Sequence, residues 1–321
     1  MQEANATSIE YFRNLERIAD LLNGMFFRGE QIIKAENLLE KNPVIHKITQ
    51  ADGKITAVEN TLDISVKVIL ENAEFLVMFQ GQTHEHYAMP IRVLNERGTD
   101  YYNQWNTLKK KHRKRKDLKN GEELLSGIKR DDLFYPVIHI IIYFGEAPWT
   151  AAKKMEELFP MHNFPKEIRK YFKEKPLLIF SIHHFENPQW FHTDLRQVCE
   201  FLQKTRDKEQ LKSYIKENQE IFSDLPEDTY NLLTVMSGSK QLKLIKQNVQ
   251  TVKGGFDMCK ALDDMVRESK LEGKLEGKLE GEDCMGKLIK KLISAGRIND
   301  LAVAADNYNY RKQLMVEFGI L

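Results

Sequence analysis

Apolar residues recur at helical intervals at the start of the chain, at Ile9, Phe12, Leu15, Ala19, Leu22 and Phe26, and stop before Gly29. Thr7 and Glu10 have the spacing of a capping box, so one helix is expected from Thr7 to about Gly29. Glu16, Asp20 and Asn23 fall on the flank of its apolar stripe, where a side chain can look into a cleft while the helix stays docked. Three strand candidates follow. "KITAVEN" (54–60) comes after the Asp52-Gly53 turn signal and pairs with "IHKITQ" as a hairpin, and "TLDISVKVIL" (61–70) with "EFLVMFQ" (74–80) makes a second one. Residues 87–108 read as helix, with Pro90 in the first turn. "LFYPVIHIIIYFG" (133–145) is apolar almost throughout, as a central strand covered on both faces should be. "APWTAAKKMEELF" reads as helix, "PLLIFSIHHF" as strand, and Trp190 to about Arg267 as amphipathic helices. The pattern predicts an α/β chain: a mixed sheet wrapped by helices, then a helical region.

The segment 270–281 repeats "KLEG" three times, which puts Leu, Gly and Glu in separate slowly winding rows. Interior glycines cost a helix ~1 kcal/mol each. The segment is therefore either a helix ordered by laying its Leu row on a partner, a second copy included, or a flexible linker. Beyond it the chain reads as two short helices joined near Gly296.

Composition changes this picture little. Apolar residues at 42% and charged residues at 30% are ordinary for a water-soluble globular chain, and no apolar run approaches the ~20 residues of a membrane span. No basic-then-apolar leader opens the sequence, which makes the cytoplasm the expected compartment. The cysteines Cys199, Cys259 and Cys284 are scattered, without zinc or redox spacing. Net charge is only +1, but "KKKHRKRKDLK" (109–119) holds eight Lys or Arg against one Asp. That run is either a solvated loop or a contact for the DNA backbone through Lys109, Lys110, Lys111, Arg113, Lys114, Arg115 and Lys116.

The residues able to do chemistry are few. Asp63 sits inside a strand candidate, where a carboxylate must be exposed or partnered. The neighbouring strand delivers Gln80 and Gln82, two residues apart and so on one face. A carboxylate, a second oxygen ligand on the adjacent strand and a polar group two residues on is a layout used for Mg²⁺-dependent phosphodiester hydrolysis. Arg92 lies one helical turn from Glu96, so it either pairs within the helix or contacts phosphate. His84 and His86 would share a strand face, and Tyr101, Tyr102 and Trp105 read as core aromatics.

The stretches "RIADLLNGMFFRGEQII" (17–33), "LDIS" (62–65), "QTHEHYAMPIRVLNERGTDYYNQ" (82–104) and "YPVIHIIIYFG" (135–145) resemble the recombination-promoting nuclease and transposase group of the PD-(D/E)xK nucleases. In that group the third stretch looks like "EnQT..dYaMPvRv..YDa..Y..Q", and "YAMPIRV" is the most specific part of the likeness. The resemblance implies a restriction-endonuclease-like core over 1–205, followed by helical region 206–268, repeat 269–283 and helical tail 284–321. It further implies a Mg²⁺-dependent DNA endonuclease, with Asp63 as the metal aspartate and Gln82 in place of the motif lysine; Asp20, on the helix flank, is the further candidate metal ligand. Gln80 falls on the family glutamate, and Glu96-Arg97 stands where the family has Tyr-Asp. An amide offers Mg²⁺ a dipole where glutamate offers a charge, so catalysis is expected to be impaired and Gln80→Glu to raise it, unless Glu16, Asp20 or Glu74 compensates. The alternative is a relative that binds DNA, or oligomerises through 270–281, without cutting.

Overall fold

The computed structural model describes residues 2–41, 44–51, 54–61 and 64–320; for residue 2 and for 44–51, 54–61, 265–266 and 268–278 it describes the backbone alone. Two helices open the chain where one was expected: α1 (Gln2–Phe12) and α2 (Leu15–Phe27). Asn14 separates them. Its backbone is extended and its side chain accepts from the Glu16 amide at 2.9 Å, which caps α2. Thr7 lies inside α1 instead of capping it, and its hydroxyl donates to the Glu3 carbonyl at 2.8 Å. Past α2 the chain turns through left-handed Arg28 and Gly29, where an added Cβ would stand 2.7 Å from the Trp190 carbonyl oxygen.

The strand β1 (Leu38–Lys41) comes next. The expected hairpin of β2 (Val44–Ala51) and β3 (Lys54–Thr61) forms a two-stranded sheet of its own; its Asp52-Gly53 turn lies outside the described residues. A second hairpin, β4 (Ile64–Leu70) and β5 (Ala73–Gln82), aligns Ile64 with Phe79 and belongs to the main sheet. From β5 the chain crosses through α3 (Met89–Arg115) and α4 (Gly121–Ser126) to β6 (Val137–Tyr143), which runs parallel to β5. After α5 (Lys166–Arg169), β7 (Leu178–Ser181) adds parallel to β6. The main sheet is five-stranded and mixed, in the order β1-β4-β5-β6-β7, with helices packed against it.

Alternation divides β5 and β6 between two faces. Leu76, Met78, Val137, Ile141 and Tyr143 pack beneath α3 with Tyr101, Met89, Val93 and Trp149. Val77, Phe79, Ile140 and Ile142 are buried on the other side. This double burial explains the near-continuous apolar run of 137–144.

The helix expected over 147–159 does not form; only Met155–Leu158 makes a short 3₁₀ turn. The segment is instead tied to distant parts of the chain, by Glu85 and by the Lys153 carbonyl, which accepts from the Leu177 amide at 2.8 Å. The Glu85 carboxylate accepts from the amides of Thr150 and Ala151 and from the Thr150 hydroxyl. Those amide donors also hold the Glu85 carboxyl below its usual pKa.

The helical region comprises α6 (Leu195–Lys204), α7 (Lys208–Glu217), α8 (Gln219–Phe222), α9 (Glu227–Met236), α10 (Lys240–Ile245), α11 (Met258–Ser294), α12 (Ile298–Asp306) and α13 (Tyr308–Glu317). Arg17 of α2 fastens its early members. The buried guanidinium bonds Asp194 through Nε (2.7 Å) and Nη2 (2.8 Å), Thr229 at 2.9 Å, and Asp228, while stacking 4.0 Å over the Tyr11 ring. The chain divides into two compact units, Met1–Met258 and Cys259–Leu321. The second unit has its own core of Leu288, Leu292, Ala304, Leu314 and Met315. The KLEG segment lies inside α11, so its backbone is continuous helix, not the linker that was the alternative. The tail has three helical pieces, the end of α11 with α12 and α13, and left-handed Gly296 at the expected joint. Among the described residues no helix is long and apolar enough to cross a membrane.

Candidate functional site

Gln80 ends the buried part of β5 and points beneath α3, in the same alternation as Met78. It is 1% exposed. With its amide turned so that the oxygen meets the donors there, Oε1 accepts from Arg92 Nε at 3.1 Å and from a terminal guanidinium nitrogen. Arg92 Nε is also 3.1 Å from Oε1 of Glu96, one turn along α3. Glu96 is buried, and its second oxygen lies 3.5 Å from Nδ1 of His139 on β6. Strand and helix therefore enclose a polar chain of Gln80, Arg92, Glu96 and His139 in an otherwise apolar layer.

Its charges are arranged to cancel. Glu96 faces Arg92, and His139 stays neutral because burial, then the Arg92 and Arg97 cations, push its pKa down to about 3. This arrangement suits a neutral acceptor at Gln80. A divalent cation there would meet a guanidinium at hydrogen-bonding distance from its proposed oxygen ligand, an arrangement that Coulomb repulsion disfavours.

Asp63 lies outside the described residues. Gln82 is half-buried at the end of β5, where its carbonyl accepts from the Phe144 amide at 2.8 Å. Asp20 does not look into a cleft. Its carboxylate is buried and accepts from the amides of His192 (2.9 Å) and Thr193 (2.7 Å) and from the Thr193 hydroxyl (2.7 Å), so it fastens the approach to α6. Asn23 does the same for another loop: it donates to the Ile33 carbonyl at 2.7 Å and accepts from the Ile33 amide at 2.9 Å. Glu16 is exposed in the first turn of α2. Glu74 pairs with Lys67 at 2.7 Å, which lowers its pKa. The described members of the expected metal set, Asp20 and Gln80, thus do not fit Mg²⁺. Among the described residues no three His, Cys, Asp or Glu side chains gather as a metal site requires. His84 and His86 lie past the end of β5, both exposed, His84 in a bend and His86 in the irregular stretch after it, and do not share a strand face.

The basic run gives a second locus. Lys109 to Arg115 form the last turns of α3, not a loop, and left-handed Lys116 caps it. Cations there are favoured by the carbonyl end of the helix dipole. Lys109, Lys110, Arg113 and Lys116 line a cavity of about 540 Å³ with Leu118 and Leu124, and among the described residues no carboxylate lines it. The nearby acids are used inward. Asp117 and Asp132 lie 2.7 and 2.8 Å from the two ring nitrogens of buried His112, and Asp117 also takes Lys129 at 2.9 Å. Lys129 first, and then His112, bring the Asp117 carboxyl down to about 2. Glu123 accepts from the Lys119 amide at 2.6 Å. Among the described residues, no Lys or Arg from Lys109 to Lys116 is in an ion pair, and Lys109 lies 4.5 Å over the Trp105 ring. Of the aromatics upstream, Tyr101 packs into the core and accepts from the Val137 amide, Trp105 donates to the Ser126 carbonyl at 2.9 Å, and Tyr102 is exposed.

The polar chain beneath α3 was only half visible in the sequence. The spacing of Arg92 and Glu96 leaves an ion pair and a phosphate contact as equal alternatives, whereas the lone His in "VIHIII" is the signal for a polar group in the sheet. No family model, curated protein or solved structure matches the chain.

Proposed function

We propose that this chain is a DNA-binding protein on a restriction-endonuclease-like core of the recombination-promoting nuclease type, which grips the phosphate backbone without Mg²⁺-dependent cleavage. The observation that carries this reading is the end of α3: Lys109, Lys110, Arg113 and Lys116 line a cavity that no carboxylate among the described residues shares, while Asp117, Asp132 and Glu123 are spent on His112, Lys129 and the local backbone. Cations outside any ion pair among the described residues, carried on a helix, suit phosphate contacts, which set affinity more than sequence choice.

The core supports the structural half of the proposal. A hairpin of β4 and β5 followed by crossover helix α3 and parallel strand β6 is compatible with the fold that the motif likeness implies. The loss of cleavage follows from Gln80: where the family has an acid, this chain has a buried amide bonded to a guanidinium.

Fluorescence anisotropy of a labelled duplex across a salt series tests the reading. Replacing Lys109, Lys110, Arg113 and Lys116 by Ala is expected to weaken binding and to reduce the log–log salt slope by roughly 3 to 4, since each phosphate contact contributes ~0.9. An unchanged slope would make the end of α3 a bystander.

A further inference from the structure

Toward its end α11 is held by the core of its own unit: Leu288 and Leu292 are buried there, with Cys284 and Met285 packed against them. Ahead of that core Leu279 is 57% exposed, and Glu280, Gly281, Glu282 and Asp283 are exposed as well. The KLEG repeats run up to this point on a continuous helical backbone. Their spacing does not suit a helix standing alone. Gly273, Gly277 and Gly281 are interior glycines, which disfavour helix. Within 270–281 the charge four residues from each Lys is another Lys and from each Glu another Glu, so neighbours along the helix repel and no opposite pair falls three or four residues apart.

The same spacing suits a second copy. Successive residues are turned by about 100° around an α-helix. The row of Leu271, Leu275 and Leu279 therefore runs between the row of Lys270, Lys274 and Lys278 on one flank and that of Glu272, Glu276 and Glu280 on the other. A two-fold axis parallel to the helices sets the Lys flank of one copy against the Glu flank of the other on both sides of the Leu seam. An antiparallel pair would set Lys on Lys and Glu on Glu. We propose that the occupant of this face is a second copy of the chain, joined as a parallel pair along 270–281. A four-residue period exceeds one helical turn, so the rows wind right-handed and the two copies cross over the repeats. The pairing is independent of DNA binding at the end of α3.

A charge exchange in the full chain tests it. Lys270→Glu, Lys274→Glu and Lys278→Glu, made together with Glu272→Lys, Glu276→Lys and Glu280→Lys, keep composition and net charge but reverse both flanks. A parallel pair of exchanged copies stays complementary, whereas one natural and one exchanged copy set like charges together. In light scattering both proteins should show twice the mass of one chain. On co-expression, a tagged exchanged copy should retain roughly tenfold less untagged natural protein than a tagged natural copy does. Replacing Leu271, Leu275 and Leu279 by Ala, which keeps helix propensity high, should raise the dissociation constant of the pair roughly tenfold or more. A monomeric natural protein would overturn the proposal, as would association that survives the Leu replacements unchanged. So would natural chains pairing with exchanged ones as readily as with their own kind, or more readily, the latter being the mark of an antiparallel pair.

Discussion

At the residue scale the decisive group is Arg92, because its guanidinium sits between the Gln80 amide and the Glu96 carboxylate. Sequence alone leads one to expect that Gln80→Glu raises Mg²⁺-dependent cutting. The geometry predicts otherwise: the new carboxylate pairs with Arg92, already within reach, and the cation still guards the position. Plasmid incubated with the Gln80→Glu protein and Mg²⁺ or Mn²⁺ should stay supercoiled; nicking that vanishes on adding Asp63→Ala would refute this. His139 makes a second prediction. Its pKa is about 3 in the fold against 6.5 unperturbed, so below pH 6.5 the unfolded chain takes up a proton that the fold refuses. Stability is unaffected at pH 7 and falls as pH drops from 6.5 toward 3, by ~2 kcal/mol at pH 5. Urea unfolding at pH 7 and pH 5 should show this loss in the natural protein and not in His139→Leu; equal acid losses in both would place the proton elsewhere.

Among elements, α3 separates what was legible from what was not. Pro90 marked its start, and the apolar run of 137–144 announced the strand it crosses to, because backbone rules act locally there. Its end departs from what charge alone suggests. A run of Lys and Arg looks like a solvated loop by charge, yet these residues have good helix propensity and no Gly or Pro interrupts them before Lys116. The segment 147–159 differs for the opposite reason: its local pattern is helical, but its backbone groups are bonded to Glu85 and to Leu177, partners far away in sequence. Asp20 and Asn23 read as flank positions in the sequence, but α2 is buried all round from Arg17 to Gly24, and what the two side chains touch, Thr193 and Ile33, depends on where later loops return. The break between α1 and α2 belongs at this scale too. Asn14→Ala removes the cap of α2 and should cost about 1 kcal/mol in urea unfolding, whereas Asn14→Asp or Asn14→Ser should restore it. A loss left unrescued by those caps would assign Asn14 a different role.

For the whole molecule, Arg17 explains why the early helical region belongs with the sheet in one unit up to Met258. Its guanidinium joins α2 to Asp194 ahead of α6 and to Asp228 of α9. Removing one partner from such a buried cluster leaves the carboxylates uncompensated, and Arg17→Ala should cost about 3–5 kcal/mol. Arg17→Lys should recover little, because an ammonium cannot span Asp194, Asp228 and Thr229 as the planar fork does; full recovery would show that charge alone suffices. On this frame the molecule presents cations at the end of α3 while the site beneath its start is internally neutralised. A native gel of end-labelled duplex DNA with the protein and Mg²⁺, followed by denaturing electrophoresis of the same samples, tests that combination most directly. The account predicts retarded duplex whose strands remain full length; unretarded duplex, or fragments that disappear in Asp63→Ala, would contradict it.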